Sequence, residues 1–328
     1  MSFEVKLGWQ RQPVNTQSNL LDSIFGDHSG GEFSIFTFPS TKSQTGESNS
    51  ETYDERLKKM EDRIRDGLDT GDYNWVVGNR GTGKTEAIMH LMRQVNSPQP
   101  DAPQRKEYRI PLFISAINQS SRPAYYKSIE AHDDGLTTWA YLDYLARICL
   151  AETMEWIVEN PKSETNFPDL RKVLLKKASD GFSLNWEVAK GLLEDPDMTL
   201  SKFLKTINKR PNFNGLIKPL LLIDDLDKKA DSEVERILSG AQSEFQSLIS
   251  SKVLFIFSVK PSFMDKNRTN TNMNYLLESS RRSNSNSELW VPEVSHLRAS
   301  DLQEFIQHRL SYLGPKAEAQ GWVLKDDI

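Results

Sequence analysis

Cysteine is almost absent: Cys149 is the single thiol among 328 residues. An intrachain disulfide and a cysteine-rich zinc site are therefore excluded. Cys149 lies among Leu145, Ile148 and Leu150, which predicts a small buried core thiol. The five histidines (His28, His90, His132, His296 and His308) are scattered without metal-ligand spacing. His90 follows the glycine-rich loop described below and reads as packing or surface. No apolar run approaches the roughly 18 residues that mark a membrane span, and Met1-Ser2-Phe3-Glu4 opens no signal-peptide pattern. Excess positive charge is missing too: 41 Lys and Arg against 46 Asp and Glu give a formal net charge of -5. A global attraction to nucleic acid or anionic membrane is excluded, although a local basic face is not. The expectation is a cytoplasmic protein with no membrane partner.

What is present is an ordinary globular composition, 37% hydrophobic and 27% charged. The length suits one large domain or two medium ones. Residues 1–52 read as an irregular segment, with a polar tract from Pro39 to Glu51 that has little to bury. Leu57, Met60, Ile64 and Leu68 recur at three- and four-residue steps and predict a helix from Tyr53 to Leu68. A strand–loop–helix rhythm follows. Strands are predicted at Asn74–Val77, Tyr108–Ala116, Leu220–Ile223, Val253–Phe257 and Glu288–Val291, with Pro111 favouring an edge position for the second. Helices are predicted at Thr85–Gln94, Thr137–Glu159 and Ser232–Ile249. Residues 160–215 read as helical but broken by Pro161, Pro168, Gly181, Gly191 and Pro196. Ser300 and Gln303 form a capping box that opens a last helix, closed by Gly314-Pro315. The basic pairs Arg171-Lys172 and Lys176-Lys177 read as solvated helix faces.

Chemistry concentrates in four places. Gly78-Asn79-Arg80-Gly81-Thr82-Gly83-Lys84-Thr85 fits G-x-x-x-x-G-K-[ST]. Glycines let the backbone wrap so that successive N–H groups point at phosphate oxygens, and the helix beginning near Lys84 adds its positive dipole end. Lys84 brings a point charge to the β- and γ-phosphates, and the Thr85 hydroxyl is a Mg²⁺ ligand. Glu86 completes the nucleotide-binding segment. Second, the apolar run Leu220-Leu221-Leu222-Ile223 ends in Asp224-Asp225-Leu226-Asp227, at the strand edge where open α/β sheets bind ligands. Asp224 is the Mg²⁺-side acid, and Asp225 polarises the attacking water. Third, the strand ending at Phe257 is followed by Ser258-Val259-Lys260, where Ser258 or Lys260 reports on the γ-phosphate. Arg281 and Arg282, in a loop, are candidates to reach a phosphate in a neighbouring subunit.

Together these segments resemble an AAA+ ATPase, in its origin-recognition/Cdc6-like or STAND/KAP-type branches. Leu289-Trp290-Val291-Pro292 leading to Ser300 is similar to the strand, proline and first lid helix of those families. The resemblance implies an α/β fold: a P-loop NTPase three-layer sandwich with a mainly parallel sheet, a helical insertion at about 161–215 and the start of a helical lid. The core would span 53–295 and the lid 296–328. It also implies ATP and Mg²⁺ as ligands, and a homo-oligomer with nucleotide at subunit interfaces. Three departures stand out. About 140 residues separate Lys84 from Asp224, more than a compact core needs. Asp225 stands where a glutamate is usual, which favours slow or switch-like hydrolysis. A second lid arginine has no clear position.

The leading expectation is an oligomerising ATPase switch that controls a protein effector, with bacterial antiphage defence as a setting. The rival is a DNA-acting loader or transposition regulator, for which nucleic acid is the partner. A scaffold that binds ATP without hydrolysing it is the third reading.

Overall fold

The computed structural model describes residues 17, 21–22, 25, 53–66, 73–80, 82–96, 108–116, 135–161, 163–177, 182–213, 215–240, 242–267, 273 and 288–291. The order of elements is α1 (Tyr53–Asp66), β1 (Tyr73–Val77), α2 (Lys84–Asn96), β2 (Tyr108–Ser115), α3 (Gly135–Glu159), α4 (Ser163–Asn166), α5 (Pro168–Leu175), α6 (Trp186–Glu194), α7 (Leu200–Asn208), β3 (Ile217–Asp224), a 3-10 turn (Leu226–Lys228), α8 (Asp231–Gly240), α9 (Gln242–Ser250), β4 (Leu254–Val259), α10 (Pro261–Asn267) and β5 (Glu288–Trp290). The strands form one five-stranded sheet in the order β2-β3-β4-β1-β5. Every pairing is parallel. The predicted helix over 232–249 corresponds to α8 and α9, on either side of position 241, which lies outside the described residues.

Alternation along the strands divides the core into two faces. Val76, Leu220, Leu222, Leu254, Ile256 and Leu289 point to one face, where Met60 and Ile64 of α1 and Ile88, Leu91 and Met92 of α2 cover them. Trp75, Val77, Leu112, Leu221, Phe255 and Phe257 point to the other, against α3, α8, α9 and α10. Both faces of β3 and β4 are therefore dry, which explains their uninterrupted apolar sequences. Phe255 and Phe257 sit two residues apart on one face, with ring centroids 5.7 Å apart, and the edge of Phe245 meets both. Burying each such ring stabilises the fold by about 2–3 kcal/mol.

Two of the helices between β2 and β3 are started by side chains that accept from free N–H groups. Asn185 caps α6 by accepting from Val188 N at 2.9 Å, and Thr199 caps α7 by accepting from Lys202 N at 3.2 Å. Pro168 opens α5 in its first turn, where a missing N–H costs nothing. Asp143 of α3 accepts from Leu200 N, binding α7 to the long helix.

Pro111 lies in β2, an edge strand, as its missing N–H requires. That edge is covered. Gln17 donates from Nε2 to Pro111 O at 2.6 Å and accepts at Oε1 from Phe113 N at 3.4 Å. Its side-chain amide thus does for β2 part of what a neighbouring strand would do. Leu21 is fully buried, Asp22 accepts from Trp156 Nε1 at 2.9 Å, and Phe25 packs edge-on to Phe167. These four residues fall in a segment whose composition reads as irregular, yet all four are helical. Four side chains spaced over two turns are too few to give a clear periodicity, whereas an uncovered sheet edge supplies a strong tertiary reason to order them. Among the described residues, no helix is long and apolar enough to cross a membrane.

Candidate functional site

The glycine-rich segment joins β1 to α2, at the carboxyl edge of the sheet. Gly78 donates its N–H to Val259 O at 3.1 Å, which anchors the start of the loop to the end of β4. A Cβ at Gly78 would lie 2.6 Å from Thr82 Oγ1, so the turn has no room for a side chain there. Gly83 has φ 93°, in the left-handed region that only glycine enters freely. Thr82 closes the turn by donating from Oγ1 to Asn79 O at 2.9 Å. Arg80 is exposed. Gly81, Arg281, Arg282 and the side chain of Glu86 lie outside the described residues, as does the helix predicted from Ser300.

Lys84 is the first residue of α2 and is 5% exposed. Its ammonium donates to Gly78 O at 2.9 Å and Asn79 O at 2.8 Å, and pairs with Asp227 Oδ2 at 3.0 Å. Thr85, the next residue, donates from Oγ1 to Asp224 Oδ2 at 2.6 Å. This contact joins residues 139 positions apart. It joins the first turn of α2, the helix that follows β1, to the end of β3, and β4 lies between those two strands in the sheet. Asp224 is 2% exposed, and its other oxygen accepts from Asp225 N at 2.8 Å.

Asp225 adopts φ 66°, a conformation that aspartate tolerates better than most residues. Ser115, the last residue of β2, donates from Oγ to Asp225 Oδ2 at 2.5 Å, and Lys228 Nζ lies 2.5 Å from Oδ1. The 3-10 turn over Leu226–Lys228 folds the chain back directly after β3 and brings Asp227 near Asp224. Donor oxygens of Asp224, Asp225 and Asp227 all lie within 4.8 Å of one another, and all three residues are buried. Among the described residues, three carboxylates thus face two ammonium groups, Lys84 and Lys228. The imbalance of one negative charge, beside a hydroxyl and a carboxylate already in contact, suits a hard cation with oxygen ligands.

Ser258 is fully buried, and its Oγ has no hydrogen-bond partner among the described residues. It pairs in register with Val76, while Phe257 pairs with Ile223, one residue before Asp224. Two-residue alternation puts Ser258 on the same sheet face as Asp224 and α2. An orphaned buried hydroxyl is uncommon, and here it sits between the loop strand and the acidic strand. Lys260 is directed elsewhere: its Nζ donates to Lys229 O at 2.8 Å and lies 3.8 Å from Asp231. Of the two sensor candidates, only Ser258 is left with an unused polar atom.

Lys84, Thr85, Asp224, Asp225 and Ser258 are therefore brought to one sheet edge. Ser115, Asp227 and Lys228 belong with them, and sequence reasoning assigned them no role. Asp227 was visible three residues after Asp224 in the acidic run. Ser115 and Lys228 carried no signal, because neither belongs to a pattern. A cavity of about 770 Å³ lies apart from this site, between α3 and α6, lined by Arg147, Glu155, Trp186 and Lys190 among others. No model of a known protein family matches the chain, and no curated protein matches it significantly.

Proposed function

We propose that this chain is an ATP-binding and hydrolysing molecular switch of AAA+/STAND type, in which Gly78 to Thr85 hold the phosphates. The observation that carries the reading is the Thr85–Asp224 contact, made across an intervening strand beside a buried lysine. A glycine-rich turn with an incidental lysine has no need of that partner. The parallel sheet, with the loop at its carboxyl edge, supports a P-loop NTPase core. The helices from α4 to α7 correspond to the insertion, and the lid falls in 296–328.

Thr85 and Asp224 would hold Mg²⁺, which supplies charge neutralisation at the phosphate oxygens when bound. Lys84 exchanges Asp227 for phosphate and keeps its place at the head of α2, whose N–H groups face the same anion. Asp225 accepts from the attacking water, and Ser258 supplies a hydroxyl at the strand exit between loop and acid. Arg281 and Arg282 serve the neighbouring subunit's nucleotide in a homo-oligomer, and the effector is a protein.

Binding of ATP, followed by calorimetry with and without Mg²⁺, tests the site. Wild-type protein is expected to bind, and Lys84→Ala to lose binding by at least about a hundredfold. Unaltered affinity in Lys84→Ala would refute the assignment. Particle mass with a slowly hydrolysed ATP analogue tests assembly, and an unchanged monomer mass would remove the oligomeric part.

A further inference from the structure

We infer that Lys228 is a built-in brake on Asp225, so that the resting chain holds its water-activating carboxylate engaged. The inference rests on the ATPase reading above and concerns the regulation of that site. Both carboxylate oxygens of Asp225 already have a partner: Ser115 Oγ on Oδ2 and Lys228 Nζ on Oδ1, each at 2.5 Å. Ser115 is fixed in β2 and cannot follow a moving group. Lys228 differs. Its side chain is 23% exposed and reaches Asp225 from only three residues away, across the 3-10 turn. A flexible four-carbon stem can leave for solvent at small cost.

Among the described residues, the Lys228 ammonium pairs with Asp225, and the turn has other supports. The left-handed backbone at Asp225 is held by its own N–H on Asp224 Oδ1 and by Lys228 N on Asp225 O at 3.0 Å. The following residues are secured separately, Lys229 by Glu233 and Lys229 O by Lys260 Nζ. Removing the charge at 228 therefore leaves the loop where it is and frees Oδ1. In hydrolysis the water oxygen bonds to the γ-phosphorus while the bridging P–O bond breaks. The bridging oxygen keeps the electron pair, ADP and inorganic phosphate leave, and the water's proton passes to Asp225 and then to solvent. A water and the Lys228 ammonium compete for the same oxygen, so the pair slows this step without touching the phosphate loop.

Single-turnover hydrolysis of Mg²⁺-ATP by the full chain tests the brake, alongside the ATP dissociation constant of each variant. Lys228→Gln is expected to raise the single-turnover rate at saturating Mg²⁺-ATP about fivefold, the scale of one partly exposed ion pair. Lys228→Arg keeps the charge and should keep the slow rate. Adding Asp225→Asn to Lys228→Gln should erase the gain, while the charge-keeping Lys228→Arg separates loss of the ion pair from a structural effect. Lys228→Ala serves the same comparison should the glutamine variant fold poorly. Lys228→Gln that binds ATP and hydrolyses it at the wild-type rate, more slowly or not at all overturns the brake. So does a gain that survives Asp225→Asn. Failure of the ATPase reading itself looks different: Lys84→Ala would then bind ATP as wild type does.

Discussion

Breaking the Lys84–Asp227 pair gives a test that needs no nucleotide. Both side chains are almost fully enclosed, at 4% and 6% exposure, and their charged atoms are 3.0 Å apart. Truncating one partner of such a pair leaves the other buried without its counter-charge, which typically costs 3–5 kcal/mol. Lys84 also donates to two backbone carbonyls, so it retains partial compensation after Asp227→Asn. The loss there is expected at the lower end, about 3 kcal/mol. Lys84→Met strands the Asp227 carboxylate beside two further carboxylates and should cost about as much. Because each single change removes the same interaction, the double variant should be less destabilised than the sum by about 2 kcal/mol. Urea unfolding of the four proteins in nucleotide-free buffer measures all of this. Singles that add to within about 0.5 kcal/mol would refute the pairing. The same variants bear on the proposed function: on the reading that Lys84 exchanges Asp227 for phosphate, Asp227→Asn should bind ATP more tightly than wild type despite being less stable.

Other perturbations follow from the packing. Burial, ahead of every other influence, pushes the Asp143 carboxyl up to about 6 from an ordinary 3.8, while Leu200 N–H and Arg147 pull it down. Between those pH values the folded chain keeps a proton that the unfolded chain has released, so stability from this group is greatest below pH 3.8 and falls as pH rises to 6. The loss amounts to about 3 kcal/mol, and Asp143→Asn should flatten it in urea titrations across that window; an unchanged slope would contradict it. Burial likewise pushes the Cys149 thiol up to about 12, and its Sγ faces Phe113 O at 3.5 Å. Native protein should react only slowly with a thiol-specific disulfide reagent at pH 8, and unfolded protein should release one equivalent rapidly. Leu21→Ala removes a fully buried side chain and should cost about 3 kcal/mol. No loss of stability would show that the cover on β2 contributes nothing.

The local chemistry of this protein is written in consecutive residues. Gly78, Gly83, Lys84 and Thr85 announce a turn into a helix because glycine conformations and a helix start are short-range matters. Leu220 to Asp224 announces a buried strand that ends in an acid, for the same reason. The element boundaries around them were legible to within a few residues, since amphipathic and apolar runs reflect which face is dry. The strand order was not. Only the folded sheet inserts β4 between β1 and β3, and that insertion leaves Ser258 buried between loop and acid with its hydroxyl unsatisfied. Nor does any pattern mark Ser115 and Lys228 as partners of Asp225, or Gln17 as the partner of the β2 edge. Those pairings depend on long-range neighbours and on exclusion of water, which make a buried charge or an open edge costly until something meets it. The sequence determined a glycine-rich turn into a helix and a buried strand that ends in acids; the tertiary structure decided which groups meet them.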